Sequence, residues 1–485
     1  MQCMNWKLSD IASVLAVEVV GNPEALIQRV ITDSRIASTG DLFVALVGER
    51  ANGHDFIASV IEQGAVALLL TQAPKQLVSV PYLLVEDAVT AMQQLAAAWR
   101  LKHQLNPVVL ITGSNGKTSV KEMVRAGLSA RDGTGVLATQ GNLNNHLGVP
   151  MTLLSLRDEH ASAVIEVGAN HVNEIAQLGP LAAPSVAVIT SIGRAHVGEF
   201  GSLDNIKRGK GEIWQALPAT GGVAIVPVVE ADSEFDGWSF WQDALAKHHV
   251  IAFGDMANLN VNRGWQAWVG VVERQATTEG QLVRLATSDW GEATLELPIA
   301  GAHQANNCAA VVAVLLASGL SWQSIQTGLS EAKLPGGRLR LLTPLPDLLI
   351  IDDTYNANAS SMKAAIGVLM EQSAKTHAFV MGPMGELGDE SQALHEQVVD
   401  FACEAGVNAF LASGSLSRSL VQRFDVQRPL ADLAVASEDA QRLAEALWQV
   451  YQQKGSMAVL VKGSRSARME RVVEALVKLA SQSAN

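Results

Sequence analysis

Eight residues, TGSNGKTS at 112–119, constrain the fold of this chain more than any other stretch. They follow a continuous apolar run, PVVLI at 107–111, and lead into a helical pattern, SVKEMVRAGLSA at 119–130. A strand that leaves through a glycine turn into a helix is the setting of a phosphate loop. Backbone N–H groups can approach an anion there, and the helix N-terminus adds partial positive charge. The usual spacing is G-x-x-x-x-G-K-[ST], and Ile111 stands where its first glycine belongs. Gly113, Ser114, Asn115, Gly116 and Ser119 are candidates to surround the phosphates. Lys117 is placed for the β- and γ-phosphates, and the Thr118 hydroxyl for Mg²⁺. The loop predicts ATP or GTP and names no reaction.

The surrounding sequence predicts an α/β chain. After 107, ASAVIEVG, PSVAVITSIG and GGVAIVPV alternate with helical stretches, and Val/Ile runs of this kind read as parallel strands covered on both faces. From 228 to 300 the pattern loosens into β-like pieces, with a turn at Thr278-Glu279-Gly280, before a long Ala-rich helix at 303–320. A second alternating unit follows LPGGR and reads as a doubly wound domain. The 485 residues are too many for one core. The division expected is 1–86, a small α/β domain; 87–338, a central mostly parallel ATPase domain; and 339–485, a Rossmann-like domain.

Composition excludes several classes. A net charge of −13 offers no basic field for nucleic acid. The longest apolar runs are strand length, far short of a membrane span. Cys3, Cys308 and Cys403 show no metal or redox spacing, and the N-terminus, broken by Lys7, Asp10 and Glu18, lacks a signal-peptide core. A cytoplasmic location is expected.

Other residues carry chemistry by position. Glu166 interrupts a Val/Ile strand, where a carboxylate is costly unless paired or metal-bound; it reads either as a ligand or as a strand-end residue. His196 lies in the loop after the next strand, and parallel strands would open both loops beside the phosphate loop. Lys210 reads alone as a solvated helix lysine. Asn142, Asn144 and Asn145 share one glycine-containing loop that suits polar oxygens or is simply a turn. DDTYNAN (352–358) and VKGSRSARME (461–470) each close a strand in the last unit.

Together, TGSNGKT, GNLNNHLGVP, EVGANH, AHVGEFGS, AKLPGGR, DDTYNANASSM, MGELGDES and LVKGSRSARME resemble the Mur ligases, over all three domains. The short loop is that family's own variant, which accounts for Ile111. The motifs are most similar to the type that adds D-alanyl-D-alanine to UDP-N-acetylmuramoyl-tripeptide, because DNPR is absent and the last domain carries KGSR. The resemblance implies those two substrates, ATP, two Mg²⁺ ions and a monomer. It implies Lys117 as the phosphate-loop lysine, and Thr118, Glu166 and His196 as metal ligands. It further implies that Lys210 carries a CO₂-derived carbamate, whose negative charge suits a metal where an ammonium does not. His303 and Asn307 are implied beside adenine, and Arg338, Asp353, Tyr355 and Asn356 in nucleotide binding and closure. Ser34, Arg35 and His54 are implied at the UDP-sugar, with Asn142, Asn144, Asn145, Asn170, Lys462, Ser464 and Arg465 at the peptide or incoming substrate. Three positions depart from the family pattern: Pro383 replaces an Asp, Asn52 replaces an Asp, and DDTYNAN lacks a following proline. The rival readings are another amide ligase, of an earlier Mur or folylpolyglutamate-synthase-like type, and a nucleotide-regulated binding protein.

Overall fold

The computed structural model of this chain describes residues 4–49, 51–230, 232–259, 263–277 and 279–483. Cys3 and Thr278 lie outside the described residues.

Three large sheets succeed one another, and Trp6–Lys7 pairs separately with Leu26–Ile27 in a two-stranded ladder. The first has five strands in the order Val19–Val20, Tyr82–Leu84, Ala67–Leu70, Asp41–Val44 and Arg29–Ile31, with all neighbours parallel except the first pair. Helix Ala88–Leu101 follows, started by Asp87, whose carboxylate accepts from the Thr90 amide at 2.7 Å. Its buried Ala91, Met92, Leu95, Ala96 and Trp99 recur at helical spacing and form one inward stripe. Trp99 packs on Trp6 with ring centroids 5.0 Å apart and donates its indole N–H to the Leu156 carbonyl at 3.1 Å. The N-terminal sheet and the central sheet therefore share one apolar core.

The central sheet has nine strands. From Val136–Ala138 through Ser162–Glu166, Val108–Thr112, Val186–Ile189, Val223–Pro227, His249–Asp255 and Ala267–Thr277, every neighbour is parallel. Gly280–Thr287 and Glu292–Leu297 complete it antiparallel. The loosened region from 228 thus belongs to the same sheet. Its long strand 267–277 is buried where it starts and mostly exposed from Val272 onward, which blurs any single periodicity. Val108–Thr112 lies between Ser162–Glu166 and Val186–Ile189. The loops after these three strands open at one carboxyl edge, the usual ligand crevice of such a sheet.

The third sheet has six strands, parallel except for the edge pair Arg340–Leu345 and Leu348–Asp353. Helices Ala359–Met370, Ser391–Ala405 and Ser417–Gln427 bury side chains on one face, and Ala440–Lys454 and Glu470–Ser483 on the other. This is the doubly wound arrangement expected. Cys308 and Cys403 are buried and unpaired, and burial pushes the Cys308 thiol up to about 12. No helix among the described residues is long and apolar enough to cross a membrane.

Candidate functional site

The phosphate loop runs from the end of Val108–Thr112 to helix Lys117–Asp132. Gly113 and Gly116 have φ of 145° and 84°, backbone that side chains rarely adopt. A Cβ on Gly113 would fall on the Thr190 hydroxyl, and one on Gly116 would lie 2.6 Å from Asn307 Oδ1. The loop is braced from the strand beside it. Ser114 N donates to the Ser191 carbonyl at 2.9 Å, Ser114 Oγ to the Gly193 carbonyl at 3.0 Å, and Asn115 N to Ser191 Oγ at 3.0 Å. Thr190 and Ser191 also donate their hydroxyls to the Asn115 carbonyl. The sequence reading passed over Thr190 and Ser191; their only signal was their place after a buried strand.

Lys117 Nζ lies 2.7 Å from the Gly113 carbonyl. Burial pushes its pKa down, while Glu166 opposes that shift and Arg338 adds to it, so these charges are neighbours. Thr118 Oγ1 donates to Glu166 Oε2 at 3.0 Å, and Asn144 Nδ2 donates to Glu166 Oε1 at 2.8 Å. Glu166 is 2% exposed. Both hydrogen-bond partners of its carboxylate are neutral donors, and the nearby opposite charge is that of Lys117. Two hard oxygen donors, Thr118 Oγ1 and Glu166 Oε2, converge there and fit a small divalent cation. Among the described residues, no group of three His, Cys, Asp or Glu side chains forms a metal cage.

His196 adopts φ 61° and pairs with Glu386, from a loop of the third sheet. Its pKa is lowered, first by burial and then by the Lys117 charge, with Lys210 adding and Glu386 opposing. No hydrogen bond joins it to Glu166, so the described structure brings Thr118 and Glu166 into contact and leaves His196 facing across the cleft. Lys210 is 1% exposed on helix Leu203–Gly211, and its Nζ lies 3.4 Å from the Ala169 carbonyl. Burial, reinforced by Lys117, pushes it down to about 7. It is not the solvated helix lysine that its sequence setting suggests.

On helix Ala302–Ala317, Asn307 Nδ2 donates to Gln304 Oε1 at 3.0 Å, and Gln304 Nε2 donates to Ser119 Oγ at 3.4 Å. Gln304 is a further residue at the loop that sequence reading missed. Burial pushes His303 down to about 4, keeping it neutral, with Asp353 and Lys462 among the nearby charges. The Arg338 guanidinium stacks on Tyr355, 4.1 Å from the ring centroid. Asp353 Oδ2 accepts from Lys462 Nζ at 2.6 Å, and Lys462 also donates to the Asn356 carbonyl at 2.8 Å. Two residues expected at different ligands are thus partners, joined because adjacent parallel strands set Asp353 opposite Lys462. Ser464 N donates to the Pro383 carbonyl at 2.8 Å, and Arg465 pairs with Glu470.

The remaining candidates are more dispersed. Asn145 Oδ1 accepts from the Leu147 and Gly148 amides at 3.2 and 2.9 Å, which ties its oxygen, but not its NH₂, to the turn leading into helix Gly148–Leu154. Asn145→Ala is expected to cost about 1 kcal/mol of stability, measurable as a lower urea midpoint at unchanged m-value. Asn142 and Asn170 are exposed. In the N-terminal domain, Ser34 opens a short turn in which exposed Arg35 pairs with Asp33. His54 is held by Asn52 and accepts from the Thr71 amide at 3.2 Å, while burial lowers its pKa.

Comparison with known proteins agrees with this geometry. Family models match in three consecutive stretches: "Mur ligase family, catalytic domain" at 26–100, "Mur ligase middle domain" at 111–315 and "Mur ligase, glutamate ligase domain" at 337–465. The UDP-N-acetylmuramoyl-tripeptide--D-alanyl-D-alanine ligase of Escherichia coli (strain K12) is 38% identical over 97% of this chain and 98% of its own. That of Haemophilus influenzae is 35% identical over 97% and 98%. Among solved structures, MurF from Acinetobacter baumannii superposes with a TM-score of 0.87 at 34% identity, covering 99% of this chain and 100% of its own. MurF ligase from Thermotoga maritima in complex with ADP gives 0.78 at 26% identity, covering 94% and 98%. A phosphate loop of this form, three matched domains in order and relatives aligned end to end leave one assignment: this chain belongs to the Mur ligase family.

Proposed function

We propose that this chain is an ATP-dependent ligase that joins D-alanyl-D-alanine to UDP-N-acetylmuramoyl-tripeptide. The observation that carries the reading is the cluster at the phosphate loop, Thr118 on buried Glu166 beside Lys117, in a chain that matches relatives named for this ligation along 97% of its length. The tripeptide carboxylate attacks the γ-phosphorus of ATP. A P–O bond forms, the bridging P–O bond breaks, and ADP leaves. The dipeptide amine then attacks the acyl phosphate; a C–N bond forms, phosphate departs, and the amine releases a proton.

Carboxylate and triphosphate repel each other, so Lys117 supplies charge where they meet. Thr118 would hold one Mg²⁺ and Glu166 and His196 a second; such ions would neutralise developing charge on the phosphoryl oxygens. Lys210, neutral above about pH 7, attacks CO₂ through its amine, forms an N–C bond and loses a proton to give an anionic carbamate. The domains 1–86, 87–338 and 339–485 each hold one reactant, the first through Ser34, Arg35 and His54, and the enzyme works as a monomer. Closure keeps water from the acyl phosphate.

Phosphate release with ATP, Mg²⁺, UDP-N-acetylmuramoyl-tripeptide and D-alanyl-D-alanine tests the reading, leaving out one component at a time. Each omission is expected to abolish release. Turnover that persists without the dipeptide would overturn the assignment.

A further inference from the structure

Asn115 is the one phosphate-loop residue whose side chain takes part in a reciprocal pair of hydrogen bonds with the third domain. Asn358 Nδ2 donates to Asn115 Oδ1 at 2.6 Å, and Asn115 Nδ2 donates to Ser360 Oγ at 2.9 Å. Ser360 Oγ in turn donates to Asn358 Oδ1 at 2.9 Å, which closes a ring of three side chains. The ring fixes each amide's orientation, since flipping Asn115 would set donor against donor. Asn358 is also the N-cap of helix Ala359–Met370, within a capping box shared with Ser361. The backbone of Asn115 is pinned by Thr190 and Ser191 on both its N–H and its carbonyl. Its side chain therefore projects from a fixed base. At the far end of the same helix, Glu371 accepts two hydrogen bonds from the Arg274 guanidinium of the central sheet, at 2.9 and 2.5 Å. One helix of the third domain is thus tied to the central domain at both ends, with its N-terminus at the phosphate loop.

We propose that Asn358 and Ser360 are positioning residues that latch the third domain onto Asn115, and that nucleotide in the loop holds the domain closed through this contact. The proposal rests on the reading of the loop as the ATP site. The differential interaction that closure requires comes from Asn115 itself, a residue of the nucleotide loop whose side chain meets Asn358 and Ser360 only in the latched state. Reciprocity follows: nucleotide favours the latched state by the same factor by which latching tightens nucleotide.

The test uses the full chain with Asn358→Ser and Ser360→Ala together. Serine retains the helix cap, and the phosphate loop is unaltered. Small-angle scattering with and without a non-hydrolysable ATP analogue reads compaction, a fluorescent nucleotide reads affinity, and kinetics separate kcat from KM for the dipeptide. The wild type is expected to compact on binding the analogue. The double variant is expected to keep its melting temperature, bind the analogue a few-fold more weakly, fail to compact, and lose roughly tenfold in kcat/KM for the dipeptide. Equal compaction and equal kcat/KM in both proteins would overturn the latch alone. Absence of analogue binding by the wild type would overturn the nucleotide-site reading as well. Ser360→Ala by itself, which leaves Asn358 and the cap intact, is expected to show the same defects in smaller degree and keeps the test decisive if the double variant folds poorly.

Discussion

Lys210→Ala is expected to fold normally and to lose roughly 10³-fold in kcat, the scale seen when one preorganised electrostatic group is removed from an active site. The wild-type amine is 1% exposed with its pKa down to about 7, so near neutrality about half of it is free to take up CO₂. Below that pH the ammonium dominates and the residual free amine limits carbamate, so activity should fall on the acid side of 7 and partly recover with added bicarbonate, which drives carbamate by mass action. The alanine variant should lose this bicarbonate response. A small carboxylic acid placed in the vacated space should restore part of its rate. Stability moves in the same direction. An unfolded lysine holds its proton up to about 10.5 and the folded one only to about 7, so the unfolded state binds more protons between these values. The contribution of this group to stability therefore rises with pH across that window, and its penalty is full below 7. Lys210→Met should accordingly melt at a higher temperature than the uncarbamylated wild type at pH 6, while being inactive. Wild-type kcat in either variant would remove Lys210 from the site.

Glu166→Gln is expected to lower kcat by roughly two orders of magnitude and to raise the Mg²⁺ concentration needed for half-maximal rate. The amide retains one acceptor for Thr118 or Asn144 and removes the buried negative charge. Without metal, the variant should be less stable than the wild type, because it loses the attraction between the buried carboxylate and Lys117 and leaves one donor facing an amide NH₂. With Mg²⁺ and a nucleotide, the wild type should gain in melting temperature and the variant should gain less. Thermal shift with and without Mg²⁺ therefore reports metal binding independently of turnover. Equal Mg²⁺ responses in the two proteins would show that Glu166 does not hold the ion.

The phosphate loop was legible because a strand, two glycines with positive φ and a helix start each have a local cause. The parallel strands around it were equally plain, since burial on both faces leaves continuous Val/Ile runs. Lys210 was not legible from its own surroundings: RGKGEIW reads as solvent-facing, and only packing against Ala169 and Phe200 buries the amine. Lys462 was legible as a charged strand end, but its pairing with Asp353 follows only from the order of the strands. Thr190, Ser191 and Gln304 escaped because hydroxyls and amides gain a role only from what lies opposite them, and that is set by sheet order. The strands after 228 were blurred because one face turns to solvent partway along.

The two joints of this molecule differ in wetness. The first is dry: Trp6, Ile27, Leu42 and Leu69 belong to one core with Met92, Trp99, Val149 and Leu153, so parting the first domain from the second would expose aromatic and aliphatic surface to water. The second is polar, made of Asn115 with Asn358, His196 with Glu386 and Arg274 with Glu371. Water can replace each of these contacts at small net loss. The first two domains should therefore travel as one body, and breathing should be confined to the last. A ligand that fills the polar joint with its own donors and acceptors would hold the molecule ajar without having to compete for the phosphate loop.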